Sequence, residues 1–338
     1  MFCGKTILIT GGTGSLGHVL TKRLLNEKYP PKIIIFSRDE AKQHAMRLYF
    51  QNLNIGTEET TYSNFLQNVQ FIMGDLRDFH TVLHAIRGVD IIFHAAAVKQ
   101  VPAAEYFPME AIRTNILGTG NLINAIIESG EDVESVIATS SDKACYPINA
   151  YGMTKAIMEK MMIAANLKTD RTRFVLTRYG NVMGSTGSVL PLFKNQIENN
   201  KPLTVTSDEM TRYMMELQQS VDLLFTAFVE ARQGEIFIPL IPTAKMIDVA
   251  EIMSHGTNSK VIITGIRPGE KVHETLISEQ EMPFTFMRND HFIIKSMLPE
   301  LYGKPDGGIK DMKSYTSQSN PLNKEKLYEL LKKQGYVK

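Results

Sequence analysis

The sequence predicts an α/β fold with a doubly wound parallel sheet and a smaller, interwoven C-terminal lobe. Three observations indicate this fold: six short, continuously apolar runs, amphipathic stretches between them, and a glycine-rich turn directly after the first run. Continuous apolar runs are typical of strands buried on both faces of a parallel sheet. Strand and helix patterns that alternate along the chain predict helices on both sides of that sheet.

The elements follow one another regularly in the first half of the chain. The predicted strands are Thr6–Thr10, Lys32–Phe36, Val69–Met73, Asp90–Ala95, Ser135–Ser140 and Arg173–Tyr179. The clearest predicted helices are Leu16–Lys28, Asp78–Arg87, Ala111–Ser129 and Ala150–Ala165. After Asn181 glycine and proline become more frequent, and the runs Glu235–Ile238 and Lys260–Ile263 are predicted to be isolated short strands.

The change in the pattern of strands and helices after Asn181 suggests a division of the chain into domains. We expect residues 1–181 to form a nucleotide-binding domain, to which later segments return, and residues 182–299 to form mainly a substrate-binding lobe. Residues 300–338 are predicted to be a loop followed by a terminal helix at Asn323–Gln334.

Composition excludes several classes of protein. The chain has 338 residues, 43% of them hydrophobic, and 37 basic against 36 acidic side chains. A net charge of +1 argues against a dedicated surface for nucleic acid or an anionic membrane. No apolar run approaches the ~20 residues of a membrane span, and the first run is too short for a signal peptide. Two cysteines predict neither a disulfide framework nor a thiolate metal site, so we expect a cytoplasmic protein without a metal.

The glycines after the first strand have a spacing typical of a Rossmann-type phosphate-binding turn. Gly11 permits a tight turn, Gly14 lets backbone approach a pyrophosphate at the helix N-terminus, and Gly17 lets the helix pack closely on the sheet. The residues expected to complete this turn are Thr13, Ser15 and Leu16. Its position between a strand and a helix distinguishes it from a glycine-rich turn without a ligand.

The end of the second strand predicts which nicotinamide cofactor is bound. Ser37 and Arg38 come first, and Lys42 follows one helical turn later, so that donors surround the place of a 2′-phosphate and favour NADP. In the alternative, Asp39 binds the ribose hydroxyls of NAD; in a third interpretation, Asp39 only caps the next helix.

The next two strand ends are predicted to line the cofactor as well. Asp75 and Leu76 follow the third strand, where an adenine ring would lie. Ala95 and Ala96 follow the fourth strand, where small side chains let ribose and pyrophosphate lie against backbone. Ordinary tight packing is the alternative explanation for the alanines.

A Ser–Tyr–Lys set forms the predicted catalytic centre. Tyr151 and Lys155 are four residues apart at the start of a helix and therefore share one face. A buried Lys155 ammonium, with a positive nicotinamide, would lower the phenol pKa of Tyr151 from its usual ~10. Tyr151 would then take a proton from a substrate hydroxyl while hydride leaves for the cofactor, and Ser141 would orient that hydroxyl. The alternative is an ordinary surface Tyr–Lys pair.

From Lys5 to about Tyr315 the sequence resembles the extended short-chain dehydrogenase/reductase family. More narrowly it resembles nucleotide-sugar 4,6-dehydratases of bacterial surface-glycan synthesis that act on UDP-N-acetylglucosamine. The segments that carry the narrower resemblance are Ser37–Glu40, His94–Pro102, Ser141–Ala144, Arg178–Ser185, Met210–Arg212 and Arg267–Lys271.

The resemblance implies that Lys143 is the base and Asp142 the acid of a water elimination. Simple 4-epimerases of the superfamily need only the Tyr–Lys–Ser set, and dTDP-glucose-type dehydratases have Asp-Glu where this chain has Asp-Lys. Oxidation at sugar carbon 4 acidifies the carbon-5 hydrogen. Nearby positive charge would depress the pKa of Lys143, and an apolar pocket would raise the pKa of Asp142, which suits a base and an acid. An exposed loop ion pair is the alternative.

The same resemblance implies substrate contacts and an oligomer. The residues implied to hold the sugar and the diphosphate are Lys99, Asn181, Arg212, Arg267 and Glu270. Salt bridges between the two lobes are the alternative explanation for the last three. Dimers of the family use the helix after Tyr151, so its Met158, Met161 and Met162 are predicted to lie in the core or at a subunit interface.

The sequence leaves several functions open. A 4-epimerase acting on a similar substrate is one alternative, and dehydration of UDP-glucose or GDP-N-acetylglucosamine is another. A catalytically inactive, NADP-binding module is a third. Inversion or retention at carbon 5 is undecided.

Overall fold

The computed structural model describes residues 1–52, 59–185, 187–302 and 307–337. The strands in these residues are β1 (Thr6–Thr10), β2 (Lys32–Ser37), β3 (Val69–Met73), β4 (Ile91–His94), β5 (Ser135–Ser141), β6 (Arg173–Tyr179), β7 (Leu203–Val205), β8 (Thr211–Tyr213), β9 (Ile236–Pro239), β10 (Thr243–Lys245), β11 (Val261–Ile263), β12 (Thr275–Ile277), β13 (Thr285–Arg288), β14 (His291–Ile294) and β15 (Tyr315–Thr316).

The helices lie mainly between these strands. They are α1 (Ser15–Leu25), α2 (Glu40–Asn52), α3 (Glu59–Asn68), α4 (Phe79–Ala85), α5 (Val101–Tyr106), α6 (Pro108–Ala111), α7 (Gly118–Ser129), α8 (Ala150–Ala165), α9 (Val189–Glu198), α10 (Leu217–Glu230), α11 (Met246–Ser254), α12 (Pro299–Tyr302) and α13 (Lys324–Lys333). Short 3₁₀ turns lie at Asp142–Ala144 and Met282–Phe284, and a π-helical turn lies at Ile112–Leu117.

The central sheet has nine strands in the order β3-β2-β1-β4-β5-β6-β9-β14-β13. The strands from β3 to β9 run parallel, and β14 is antiparallel to both of its neighbours. The six predicted strands are confirmed to within one residue at each end, and the doubly wound α/β prediction is confirmed. Helices α8 and α10 both pack on β5 and β6, which explains why β5 is buried along its whole length.

The later part of the chain differs from the prediction in one respect. The run 235–238 was expected to be isolated, but β9 lies within the central sheet because its backbone pairs with both β6 and β14. The run 260–263 does form a small separate pair, β11 with β7. A second buried apolar cluster, which includes Met183, Phe193 and Leu331, holds α9, α11 and α13 together.

The strand order changes direction between β1 and β4, which are neighbours in the sheet. Ligands of open parallel sheets bind in the crevice at such a switch point, beyond the carboxyl ends of the strands. The predicted glycine turn and the Ala95–Ala96 pair both follow strands at this crevice. In the part of the chain that the structure describes, no helix has the length and apolar character needed to cross a membrane.

Candidate active site

The glycine turn is shaped by close backbone contacts. Gly11 has a φ of +67°, and a Cβ added there would lie 2.7 Å from the Cα of Ala96. A Cβ on Gly17 would lie 2.0 Å from the carbonyl oxygen of Gly12. Gly17 therefore allows the first turn of α1 to pack on the loop itself, where the sequence predicted close packing on the sheet.

The N-terminus of α1 faces this turn. Exposed Gly14 precedes the helix, Ser15 and Leu16 begin it, and its first turn, which the structure describes completely, contains no acidic residue. The Thr13 hydroxyl lies 2.9 Å from the Ser37 hydroxyl and so connects the turn to the end of β2. Backbone N–H groups at a helix N-terminus favour an anion, which fits a pyrophosphate.

At the end of β2, Asp39 and Arg38 are the two residues predicted to contact the cofactor ribose or its 2′-phosphate, and they differ in their present partners. The Asp39 carboxylate accepts from the Lys42 backbone N–H at 3.0 Å and pairs with the Lys42 Nζ at 3.3 Å, so it caps α2 as in the third interpretation. The Arg38 side chain is 54% exposed and lies 3.7 Å from Asp75. Asp75 is also held by Arg77 at 2.6 Å. Of the predicted donors, Lys42 is thus paired with Asp39, while exposed Arg38 lies near Asp75.

The other predicted cofactor residues lie at the same edge of the sheet. Leu76 is buried, and its carbonyl accepts from the Asn121 amide at 2.8 Å. Ala95 and Ala96 are partly buried after β4, and the Ala95 backbone N–H donates to the Thr10 carbonyl at 3.2 Å. Small side chains at this point allow the glycine turn after β1 to lie directly against the segment after β4.

One glycine brings the two catalytic segments together. Asn149 caps α8 by accepting from the Gly152 backbone N–H at 2.8 Å. A Cβ on Gly152 would lie 2.1 Å from the Lys143 carbonyl oxygen. Because that position has no side chain, the first turn of α8 lies directly against the turn after β5, and Tyr151 comes to Asp142 and Lys143.

The Tyr–Lys pair is buried, which excludes the surface interpretation. Burial raises the pKa of Tyr151 to about 12, although Lys143 and the Ser141 hydroxyl act to lower it. Lys155 donates to the Thr139 carbonyl at 2.7 Å, and burial lowers its pKa to about 8. In this structure burial outweighs the neighbouring positive charge, and Lys143 is the lysine that acts on the phenol most strongly; the expected lowering by Lys155 together with a positive nicotinamide stays a prediction.

The Asp142–Lys143 pair is not an exposed loop ion pair, because Asp142 is buried and the Lys143 side chain is only 20% exposed. Ser141 donates to Asp142 Oδ1 at 2.6 Å, and Asp142 is fully buried. The Lys143 Nζ lies 3.2 Å from Asp142 Oδ1 and 3.3 Å from Glu274 Oε1. Burial acts to lower the pKa of Lys143, but the two carboxylates outweigh it and raise that pKa above its usual value. The prediction of a depressed Lys143 pKa is therefore wrong for this arrangement.

Four of the predicted substrate residues meet around one cavity of about 220 Å³: Asn181, Arg212, Arg267 and Glu270. Buried Arg212 lies 3.6 Å from Glu270, so part of the salt-bridge alternative is present as well. Asn181 Oδ1 and Glu270 Oε2 are buried without a hydrogen-bond partner. Two unsatisfied acceptors indicate a site for a ligand that has several hydrogen-bond donors. Exposed Lys99 does not line this cavity.

A larger cavity, of about 880 Å³, lies between α9, α11 and α13. None of the predicted site residues lines it.

Sequence reasoning missed two residues that shape the site. Glu274 follows Glu270 by four residues in a segment without helix and reaches Lys143. Its place in the same charged segment was the signal that could have identified it. Asn115 lies in the π-helical turn that interrupts the predicted helix Ala111–Ser129. Its amide bonds both backbone groups of Val98 and the Thr154 hydroxyl, and so ties the segment after β4 to α8.

Known proteins resemble this chain over nearly its whole length. A UDP-N-acetylglucosamine 4,6-dehydratase (inverting) of Campylobacter jejuni (strain 81-176) is 42% identical over 334 residues, which cover 95% of both chains. A UDP-glucose 4-epimerase of Rickettsia bellii (strain RML369-C) is 43% identical over 351 residues, which cover 100% of this chain and 98% of the relative. The X-ray structure of Pen from Bacillus thuringiensis superposes with a TM-score of 0.87 at 36% identity and covers 100% of both chains.

The family comparison agrees with these relatives. Residues 7–296 match the family described as polysaccharide biosynthesis protein. The chain belongs to this family, within the extended short-chain dehydrogenases/reductases.

Proposed function

We propose that this protein is an NADP-dependent nucleotide-sugar 4,6-dehydratase. It converts UDP-N-acetylglucosamine into a UDP-4-keto-6-deoxy-N-acetylhexosamine for the synthesis of surface glycans. The observation that carries the proposal is the buried Asp142–Lys143 pair beside Tyr151, at the carboxyl end of β5. The Campylobacter relative with this activity in its name supports the substrate.

The residues present fit a nicotinamide dinucleotide. A Cβ at Gly11 or Gly17 would collide with backbone, and both glycines lie in the turn before or within the start of α1. The turn would hold the pyrophosphate, while Ser37 and Arg38 would hold the 2′-phosphate of NADP, because Asp39 is engaged as a helix cap. A cofactor held there would supply hydride-transfer chemistry beside Tyr151, and return of the hydride to the sugar would leave no net consumption of cofactor.

The preference for NADP can be tested at Arg38. Removal of a charged hydrogen-bond donor to phosphate costs about 1.5–3 kcal/mol, or roughly 10- to 100-fold in affinity. We expect Arg38→Ala to weaken NADP binding by this factor and to leave NAD binding nearly unchanged, as measured by calorimetric titration. Equal losses for both cofactors would contradict NADP specificity.

The side chains divide the proton transfers among themselves. Tyr151 acts as a phenolate and takes the proton of the carbon-4 hydroxyl; burial alone favours the neutral phenol, and the positive charge of a bound nicotinamide would favour the phenolate. Lys143 takes the carbon-5 proton, and Asp142 gives a proton to the departing carbon-6 hydroxyl. Moving one proton across the 3.2 Å contact from Lys143 to Asp142 converts the resting ion pair into a neutral amine and a neutral acid, which the elimination needs.

The protons balance over the cycle. Lys143 returns a proton to carbon 5, so it ends unchanged. Tyr151 gains the one proton that Asp142 gives up. Ser141 donates to Asp142 and lies close enough to the phenol to lower its pKa, so it connects the two groups.

A UDP-sugar 4-epimerase is the second candidate, since the Rickettsia relative carries that name. Epimerisation would need Tyr151, Lys155 and Ser141 only. It would leave the buried Asp142–Lys143 pair without a role, and burying such a pair carries a desolvation cost. The pair therefore favours dehydration.

Incubation of the purified protein and NADP with UDP-N-acetylglucosamine in D₂O tests the proposal. We expect a product lighter by one water, with deuterium at carbon 5. An isomer of unchanged mass would indicate the epimerase, and bound NADP without turnover would indicate an inactive module. UDP-glucose and GDP-N-acetylglucosamine serve as parallel substrates. We propose inversion at carbon 5, following the Campylobacter relative's name, and product NMR would show retention if this is incorrect.

We also propose a homo-oligomer, a dimer or higher, in the cytoplasm. Exposed apolar side chains gather on α5, the segment after it, and α8: Tyr106, Phe107, Met153 and Ile157. Apolar surface of this kind is typical of subunit interfaces. Met158 and Met162 are buried in the core instead. Light scattering during gel filtration should give a mass at least twice that of one chain, and a monomer would contradict the proposal.

A further inference from the structure

Glu274 occupies an unusual place in the active site. It lies just before β12, in the later part of the chain, yet its carboxylate is buried and lies 3.3 Å from the Lys143 Nζ. Its backbone N–H is fixed by the Ser317 hydroxyl at 2.9 Å, and that hydroxyl lies 2.7 Å from the Thr211 hydroxyl. The Glu274 position is therefore set by its backbone, independently of Lys143.

The second oxygen of Glu274 is unused. Oε2 is buried and has no hydrogen-bond partner, although burial of an unpaired carboxylate oxygen is costly. Oε1 has Lys143 at 3.3 Å and Arg212 at 4.0 Å. A carboxylate retained with half of its acceptors empty indicates a role in the reaction rather than in stability.

The surroundings of Lys143 show what this carboxylate does. Charged or titratable groups act on Lys143 from its own turn, from α8, from β8 and from the segment before β12: Asp142, Tyr151, Arg212, Lys271 and Glu274. Arg212 and Lys271 oppose a charged Lys143, whereas Asp142 and Glu274 favour it. Without Glu274, one carboxylate would face two cations.

We propose that Glu274 is a positioning residue that holds Lys143 as an ammonium against Asp142 and so keeps the shared proton on that pair. This inference rests on the proposed elimination. Loss of that proton to solvent would leave an amine and a carboxylate, and Asp142 would then have no proton for the departing hydroxyl. The negative charge of Glu274 opposes this loss without touching the reacting atoms.

Chemical labelling without substrate tests whether Glu274 stabilises the ammonium form of Lys143. Acetic anhydride acylates only neutral amines, and the Lys143 side chain is partly accessible. The acylation rate of the Lys143 peptide would be measured by mass spectrometry between about pH 8 and pH 10, where Lys143 is mostly an ammonium and the rate is proportional to its neutral fraction. We expect Glu274→Gln to raise this rate at least about tenfold, because loss of an opposite charge at this distance lowers the pKa of an amine by about one unit or more. Glu274→Asp should restore most of the difference.

Glu270→Gln is the matched control, because it removes another carboxylate that pairs with Arg212 and does not pair with Lys143. Its acylation rate at Lys143 should equal that of the native protein. Equal rates for Glu274→Gln and the native protein would overturn the proposal. Unfolding midpoints of all variants would show that the fold is intact.

The pH dependence of dehydration gives a second readout. In Glu274→Gln the decline of kcat at alkaline pH should begin at a lower pH than in the native protein, and Glu274→Asp should move it back. A decline that stays in place would overturn the proposal. If the native protein does not dehydrate UDP-N-acetylglucosamine, the proposed function fails, while the labelling result still decides whether Glu274 holds Lys143.

Discussion

Two buried charge clusters lie on neighbouring strands of the sheet and differ in how fully their polar atoms are used. In the first, Arg178 of β6 makes five hydrogen bonds of 2.6–3.0 Å, to both oxygens of Glu159 and of Glu281 and to the Leu276 carbonyl. In the second, Lys143 after β5 faces Asp142 and Glu274, and one Glu274 oxygen has no partner.

The difference separates a structural cluster from a functional one. Arg178 presents five N–H donors in a fixed plane, and all of them are matched, so no ligand is needed to complete the cluster. Lys143 has a flexible stem and a proton that can move, and one oxygen of its cluster, Glu274 Oε2, has no hydrogen-bond partner. A cation in the protein interior is therefore not in itself a sign of catalysis. A cluster in which a polar atom has no hydrogen-bond partner is the better indication of a functional role.

Replacement of Lys143 should give the largest change. Lys143→Met removes the proposed base, and loss of a general base lowers the rate by roughly 100- to 10,000-fold. We expect dehydration and carbon-5 exchange to fall by this factor, measured by NMR in D₂O, while NADP binding persists. Lys160→Met on the exposed face of α8 is the control and should behave like the native protein. Retained carbon-5 exchange in Lys143→Met would assign the base elsewhere.

Replacement of Arg178 should act on stability instead. Arg178→Met leaves two carboxylates buried without their cation, and breaking such a pair costs about 3–5 kcal/mol. We expect that loss in the free energy of unfolding, measured with urea and circular dichroism. Arg113→Met, at an exposed pair with Glu110, should change it by less than about 0.5 kcal/mol. Similar losses at the two positions would remove the distinction between the clusters.

Acidification should reduce the contribution of the Arg178 cluster to the stability of the fold. Burial acts to raise the pKa of Glu281, but Arg178 and the Ser278 donors outweigh it and lower that pKa from 4.5 to about 2. A carboxylate with a depressed folded-state pKa contributes stability above its unfolded pKa and loses it as the pH falls through the folded value. We therefore expect a contribution on the order of 3 kcal/mol to disappear between about pH 5 and pH 2.

Glu281→Gln is the matched variant for this measurement. It removes the titrating group and keeps the shape of the side chain, so its unfolding free energy should depend less on pH in that window than that of the native protein. Parallel pH curves for the two proteins would show that Glu281 does not carry the effect.

The same contrast explains what the sequence could and could not predict. The six parallel strands and the Tyr151–Lys155 pair are local patterns, in which neighbours along the chain determine the result. β9 pairs with β14, which lies much later in the chain, and the local sequence of β9 gives no sign of this partner. The sequence therefore predicted an isolated strand. The Lys143 pKa was predicted in the wrong direction for the same reason. Glu274, one of the two carboxylates that raise the Lys143 pKa, is distant from Lys143 along the chain. Spacing does not reveal contacts of this kind.

Cys145 gives the mildest test, because it lies between the two clusters. Its Sγ is 3.7 Å from Glu281 Oε2, and its carbonyl accepts from the Lys271 Nζ at 2.7 Å. Burial raises the pKa of the Cys145 thiol to about 12, so the reactive thiolate is scarce near neutral pH. We expect iodoacetamide at about pH 8 to label exposed Cys3 in the native protein, and Cys145 only after unfolding. Comparable labelling of both cysteines in the folded protein would mean that solvent reaches the space between the Arg178 cluster and the Lys143 cluster. The two clusters would then not be separated by packed protein.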